Sequence, residues 1–183
     1  MEHRVILGID PGSNLMGWAL LSTGYRVLKT LEIGVLELKK IREPFLKLQH
    51  IFEEVCGLIA TYQPHELAIE APFYGKNVQS MLTLGRAQGM AIAAALAHKI
   101  PVFEYAPRKV KLSITGRGAA SKEQVATMLQ KTVQMTKAPV KWDATDALAV
   151  AVCHYYQSQL ITPQSSGPKS WEAFVSQHPD RVG

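Results

Sequence analysis

Cysteine is scarce in this sequence: Cys56 and Cys153 are the only two among 183 residues. Two thiols cannot make a disulfide framework, and their positions match no C-x-x-C ligand spacing, which argues against structural zinc and for a reducing compartment. Long apolar runs are also missing. The longest, residues 90–97, holds eight residues, against the roughly 20 that cross a bilayer, and the opening MEHRVILGID has no cleavable apolar region. These absences lead us to expect a soluble, cytoplasmic chain with no membrane partner. No internal repeat or low-complexity tract is visible, and 47% hydrophobic with 19% charged residues excludes disorder along most of the chain. Aspartate is the most telling shortage, because it occurs only as Asp10, Asp143, Asp146 and Asp180.

What is present begins with positive charge. Lysine and arginine total 20 against 15 acids, a net charge of +5. Between residues 105 and 142 stand eight basic side chains and one acid, Glu123, a local +7 that leaves −2 for the remainder. A one-sided basic segment is the footprint of contact with a phosphate backbone. A solvated lysine-rich surface has the same composition, and charge alone does not choose between the two.

The patterning predicts an α/β domain. Residues 4–10 (RVILGID) read as a buried strand stopped by Pro11-Gly12, and residues 16–22 and 27–38 as two more strands, together an antiparallel meander. Residues 45–62 carry apolar side chains at the three-and-four spacing of an amphipathic helix that Pro64 ends. A short strand, LAIE, closes on Glu70. Residues 77–99 read as a long helix rich in glycine and alanine, and residues 102–105 as a fifth strand. Ser121 with Gln124 forms a capping-box pattern. Residues 143–161 make the last helix, closed by Pro163, and residues 162–183 turn polar. We expect a mixed five-stranded sheet flanked by helices over residues 1–161, and a flexible C-terminal tail over 162–183 with one sticky turn at 171–175.

Four acids stand where ordinary surface charge does not. Asp10 ends the first strand, Glu70 ends the fourth, and Asp143 with Asp146 opens an apolar helix. Taken singly, each has a plain explanation: Asp143-x-x-Asp146 as a helix cap with a dipole-favoured acid, Asp10-Pro-Gly as a turn. Taken together, carboxylates at a core edge repel one another and resist ionising unless a cation joins them. Magnesium takes such oxygen ligands, and two ions about 4 Å apart drive phosphodiester hydrolysis. The residues by themselves therefore point to a metal-dependent phosphate site.

The same residues carry a resemblance. I-D-P-G-S at 9–13, I-E-A-P-F at 69–73 with K-N at 76–77, L-G-R-A-Q-G at 84–89, V-F-E-Y-A at 102–106 and D-A-T-D-A-L-A at 143–149 resemble, in order and spacing, the RuvC family of Holliday-junction resolvases. The resemblance implies an RNase H-like fold, a homodimer, and magnesium-dependent paired nicking of a four-way DNA junction, with manganese able to substitute. It places Asp10, Glu70, Asp143 and Asp146 on the family's metal-binding acids, Phe73 on a loop aromatic that stacks on junction bases with Lys76 beside it, and Lys111 and Lys122 on basic residues near the site. It also brings the family's expectation of a RuvA–RuvB branch-migration partner. Three other readings stay open at this stage: an RNase H-type nuclease on another nucleic acid, a non-cleaving junction binder, and, well behind, an actin-like or sugar-kinase ATPase suggested by the D-x-G-S loop. For the dimer contact we expect the small-residue helix 77–99, with Ala87 facing outward. His154 reads as a packed histidine, and both cysteines as small core residues.

Overall fold

The computed structural model describes residues 3–24, 27–72, 77–136 and 141–161. Phe73 and Lys76, and the polar stretch 162–183, lie outside the described residues. The first strand, β1 (Arg4–Asp10), alternates its side chains across a sheet: Val5, Leu7 and Ile9 fall in one apolar cluster and Ile6 in the other. Strand β2 (Leu15–Gly24) returns antiparallel to β1, and β3 (Val27–Glu37) antiparallel to β2, so the meander is as expected. Helix α1 (Pro44–Tyr62) starts with proline at its first turn and the Glu43 carboxylate accepting from the Phe45 and Leu46 amides. It ends at a left-handed Gln63, before Pro64. Strand β4 (Glu66–Glu70) then joins β1 in parallel, helix α2 (Val78–Ala97) follows an Asn77 cap, and β5 (Val102–Tyr105) pairs in parallel with β4.

Two elements were not anticipated. Helix α3 (Pro107–Thr115) begins on Pro107 and stops where Gly116 takes a positive φ of 73°. After α4 (Lys122–Thr132), whose Ser121–Gln124 capping box forms as expected, the short strand β6 (Val133–Gln134) pairs in parallel with β3. The sheet therefore has six strands in the order β5-β4-β1-β2-β3-β6, not five. A two-residue edge strand has no alternating pattern to read, and its register comes from its partner.

The last helix, α5 (Trp142–Ile161), crosses one face of the sheet with α3 and α4 beside it, while α1 and α2 cover the other. Its segment from Ala147 to Cys153 is buried throughout, which explains why it is apolar on all sides. Close approach needs two bare positions on the strands. A Cβ on Gly8 would stand 2.3 Å from the Ala147 carbonyl oxygen, and one on Gly17 would stand 1.9 Å from the Asp143 carbonyl oxygen. Near the strand starts, buried His154 is held between the Tyr105 hydroxyl at 2.7 Å and the Glu66 carboxylate at 2.9 Å, with the Phe103 ring stacked on it. Its role is packing, as expected. Cys153 is buried and Cys56 half-buried.

Ala87 corrects one expectation. It points inward, 2% exposed, with Ala91, Ala94 and Ala95 against α1 and the sheet. Half of the small-residue pattern on α2 thus seats the helix on its own chain. Ala87→Glu buries an unpaired carboxylate and should cost on the order of 3 kcal/mol, whereas Ala60→Glu, at an exposed position of α1, should stay within about 0.5 kcal/mol. Urea unfolding of the two variants checks this.

Candidate active site

Strands β1 and β4 run parallel as neighbours with Ile9 opposite Ile69, so the next residues, Asp10 and Glu70, leave the sheet side by side. Across the antiparallel pair, Asp10 lies opposite Gly17, and over Gly17 rests the Asp143 backbone. The first turn of α5 is thereby set against the end of β1. Asp146, three residues on, projects from the same side of the helix and lines one cleft with Asp10 and Glu70. Arg108 and Lys111 from α3 and Lys122 from α4 complete that cleft. Asp146 is bound by the Lys122 ammonium, which donates to Oδ2.

The electrostatics follow from this crowding. Burial, then the charges of Glu70, Asp146 and Asp143, push the Asp10 carboxyl up to about 8 against the opposing pull of Lys122. Burial and the Asp146 charge push Glu70 up to about 7, with Lys122 and Lys111 acting the other way. Burial opposes the charge on Lys122, but its hydrogen bond to Asp146 and the fields of Asp146, Asp10 and Asp143 outweigh that and raise its pKa. The site is short of positive charge.

A divalent cation fits this donor set. Every donor is a carboxylate oxygen, the choice of a hard ion such as magnesium rather than of zinc. Among the described residues no three acids are yet drawn close enough to clasp an ion as they stand, and one of the four, Asp146, is occupied by Lys122.

Of the residues singled out in the sequence, the fold brings Asp10, Glu70, Asp146, Lys111 and Lys122 to one cleft and Asp143 to its edge. Two neighbours escaped sequence reasoning. Arg108 lies three residues before Lys111, on the same side of α3, and recognising that helix would have exposed it. Gln88 is buried on α2 and donates to the Glu70 carbonyl at 3.3 Å and the Glu104 carboxylate at 2.6 Å, tying the end of β4 to β5. A glutamine on the apolar face of a helix was the available signal.

The raised carboxyls carry a stability signature. Between the ordinary carboxyl range near pH 4 and about 7 and 8 for Glu70 and Asp10, the folded protein binds protons that the unfolded chain has released. Stability of the metal-free protein therefore falls as pH rises through that interval. In chelator, the melting temperature should decline from pH 5 to pH 8.5, Asp10→Asn should flatten the decline, and added magnesium should raise the melting temperature more at pH 8 than at pH 6. Thermal melts across the pH series make the comparison.

Known proteins resemble this chain in sequence and in fold. A family model described as crossover junction endodeoxyribonuclease RuvC matches residues 6–154, a span that includes all four acids. A protein of that name from Cytophaga hutchinsonii is 51% identical over 179 residues, 98% of this chain and 88% of its own length. Another, from Bacteroides fragilis, is 50% identical and covers 100% of this chain and 97% of its own. Among solved structures, Thermus thermophilus RuvC in complex with Holliday junction substrate aligns with a TM-score of 0.80 at 28% identity, covering 86% of this chain and 96% of that one. The yeast mitochondrial Holliday junction resolvase shares the fold, with a TM-score of 0.66 at 16% identity. On this match of sequence and fold, the chain belongs to the crossover junction endodeoxyribonuclease RuvC family.

Proposed function

We propose that this protein is a Holliday-junction resolvase, a magnesium-dependent endonuclease that makes paired, symmetric nicks in four-way DNA junctions during recombination and repair. The observation that carries the reading is the meeting of Asp10, Glu70 and Asp146 with Arg108, Lys111 and Lys122 in one cleft. Asp10, Glu70, Asp143 and Asp146 are the groups that would hold metal. When bound, two magnesium ions, or manganese in their place, supply charge for the scissile phosphate and make water a nucleophile near neutral pH. Lys122 now neutralises Asp146; given a phosphate, its ammonium is free to turn to the non-bridging oxygens. Lys111 and Arg108 line the same cleft and screen the charge that builds in the transition state. Family resemblance adds Phe73 as a stacking ring and Lys76 as a phosphate contact.

Two matched nicks need two sites related by the junction's approximate two-fold axis, which a homodimer supplies. With Ala87 turned inward, the outward face of the C-terminal half of α2 offers Gly89, Ala93 and Leu96, and among the described residues nothing stands within 4 Å of the space a Cβ on Gly89 would fill. This is our interface. We assign the protein to the cytoplasm, where a nuclease acting on chromosomal junctions in a bacterium would meet its substrate, and RuvA–RuvB is the motor partner that the family resemblance implies. Among the described residues no helix is long and apolar enough to cross a membrane.

The decisive experiment compares a four-way junction, a linear duplex and an RNA–DNA hybrid as substrates in magnesium. Preferential, symmetric cutting of the junction is expected; equal cutting of the hybrid would indicate a general RNase H-type nuclease, and binding without cutting a structural protein. Asp146→Asn should lower cleavage by about a thousandfold or more while junction binding persists, and Lys111→Ala should lower cleavage more than binding. Ala93→Arg should sediment as a folded monomer and lose paired nicking, read as nicked rather than linear product on a cruciform plasmid.

A further inference from the structure

The basic segment of residues 105–142 supplies one flank of the acidic cleft. On the charge count, the rest of the chain is net negative, and no second cationic surface is visible in the sequence. The fold assembles one nonetheless. A separate cleft of about 170 Å³ opens between the start of α1 and α2, on the sheet face opposite α5. Arg42 enters it from the β3–α1 connection, Lys47 from α1 and Arg86 from α2. Among the described residues no carboxylate lines it. Among the described residues Arg42 and Arg86 have no ion-pair partner, and Lys47 Nζ donates only to the Ser13 carbonyl, at 3.3 Å. Lys39 and Lys40 stand exposed in the approach. The nearby acids are engaged elsewhere: Glu43 caps α1, and Glu37 is bound by Lys141.

Two further features define what would fit. Phe45 lines the same cleft and is 72% exposed, a ring that no intramolecular packing explains. Ser13, which lines this cleft, stands three residues after Asp10 on the connection from β1 to β2. Unopposed cations with an exposed ring are the elements by which proteins hold an unpaired nucleic-acid strand, phosphates on the cations and a base on the ring.

Resting on the reading of the protein as a junction-binding nuclease, we propose that this cleft is a second DNA-contact surface. It takes the strand that passes over the 11–14 turn from the acidic cleft, with Arg42, Lys47 and Arg86 on successive phosphates and Phe45 against an unstacked base. The scissile phosphate is then held from both sides, by Lys111 and Lys122 on one and by this cleft on the other. A duplex offers no unstacked base, so Phe45 contributes to the preference for a branched substrate.

The test is fluorescence anisotropy of the full chain with a labelled immobile four-way junction, and with a duplex of one arm, across KCl concentrations of about 50 to 200 mM. Each lost phosphate contact lowers the slope of log affinity against log salt by about 0.9. Arg42→Ala/Arg86→Ala should therefore lower the slope by about 2 and weaken binding by tenfold or more. Lys29→Gln, which removes an exposed charge elsewhere on β3, should leave the slope near the wild-type value. Phe45→Ala should reduce the junction-to-duplex preference, and Phe45→Trp should restore it. A wild-type slope in the double variant, at concentrations where it sediments like wild type, overturns the proposal. So does loss of self-association with the slope unchanged, which would make the cleft a protein-docking face. If the wild-type protein fails to bind the junction at all, the functional reading fails instead.

Discussion

The backbone of Asp143 rests on the bare Cα of Gly17, and the rest of the site depends on that contact. It fixes where α5 begins relative to the end of β1, since Gly17 is the strand partner of Asp10. One turn farther along the helix Asp146 faces the cleft, and the next residue, Ala147, lies over Gly8 with Ala151 a turn beyond it. Helix and sheet are locked at two points by residues without side chains. Any side chain at Gly17 would lift the start of α5 and separate acids that belong to different elements.

The consequence of that locking is electrostatic. Carboxylates that would spread apart in water are held at the end of a rigid parallel strand pair and the first turn of a buried helix, where burial and mutual repulsion keep Asp10 and Glu70 protonated into the neutral range. The protein stores a demand for cations. Lys122 answers part of it by pairing with Asp146. On the reading proposed above, metal ions and substrate would meet the remainder, and metal binding would then release protons. The positive residues around the cleft serve the opposite charge, that of the phosphate, and the two requirements meet in one site because α3 and α4 carry cations to the edge of an acidic floor.

The helix pair on the other face has a different division of labour. Helix α2 uses Ala87, Ala91, Ala94 and Ala95 to sit closely on the sheet and α1, leaving Gly89, Ala93 and Leu96 outward. Through Gln88 it also holds the main chain at Glu70. One helix thus joins the proposed contact between protomers to the position of a proposed catalytic acid. The same packing closes α1 against α2 and leaves the cationic cleft at their N-terminal ends.

Much of this was legible from residue order alone. The β1 strand, the meander, the Ser121 capping box, the amphipathic α1 and the buried α5 were readable because each carries its own period or cap, and the four acids stood out because they interrupt apolar runs. Helix α3 was not readable, since nine residues with five polar or charged side chains show too little period, and β6 exists only through pairing with β3. The orientation of Ala87 could not be read either: in a helix where nearly every residue is small, no polar face marks the outside. Net charge was misleading in the same way, because summing the chain hides where Arg42, Lys47 and Arg86 converge from three elements. Local propensity and burial pattern are properties of a segment, and the sequence by itself determined those. Which acids share a floor, which face of α2 is covered and where cations gather are distances between segments, and only the tertiary structure decided them.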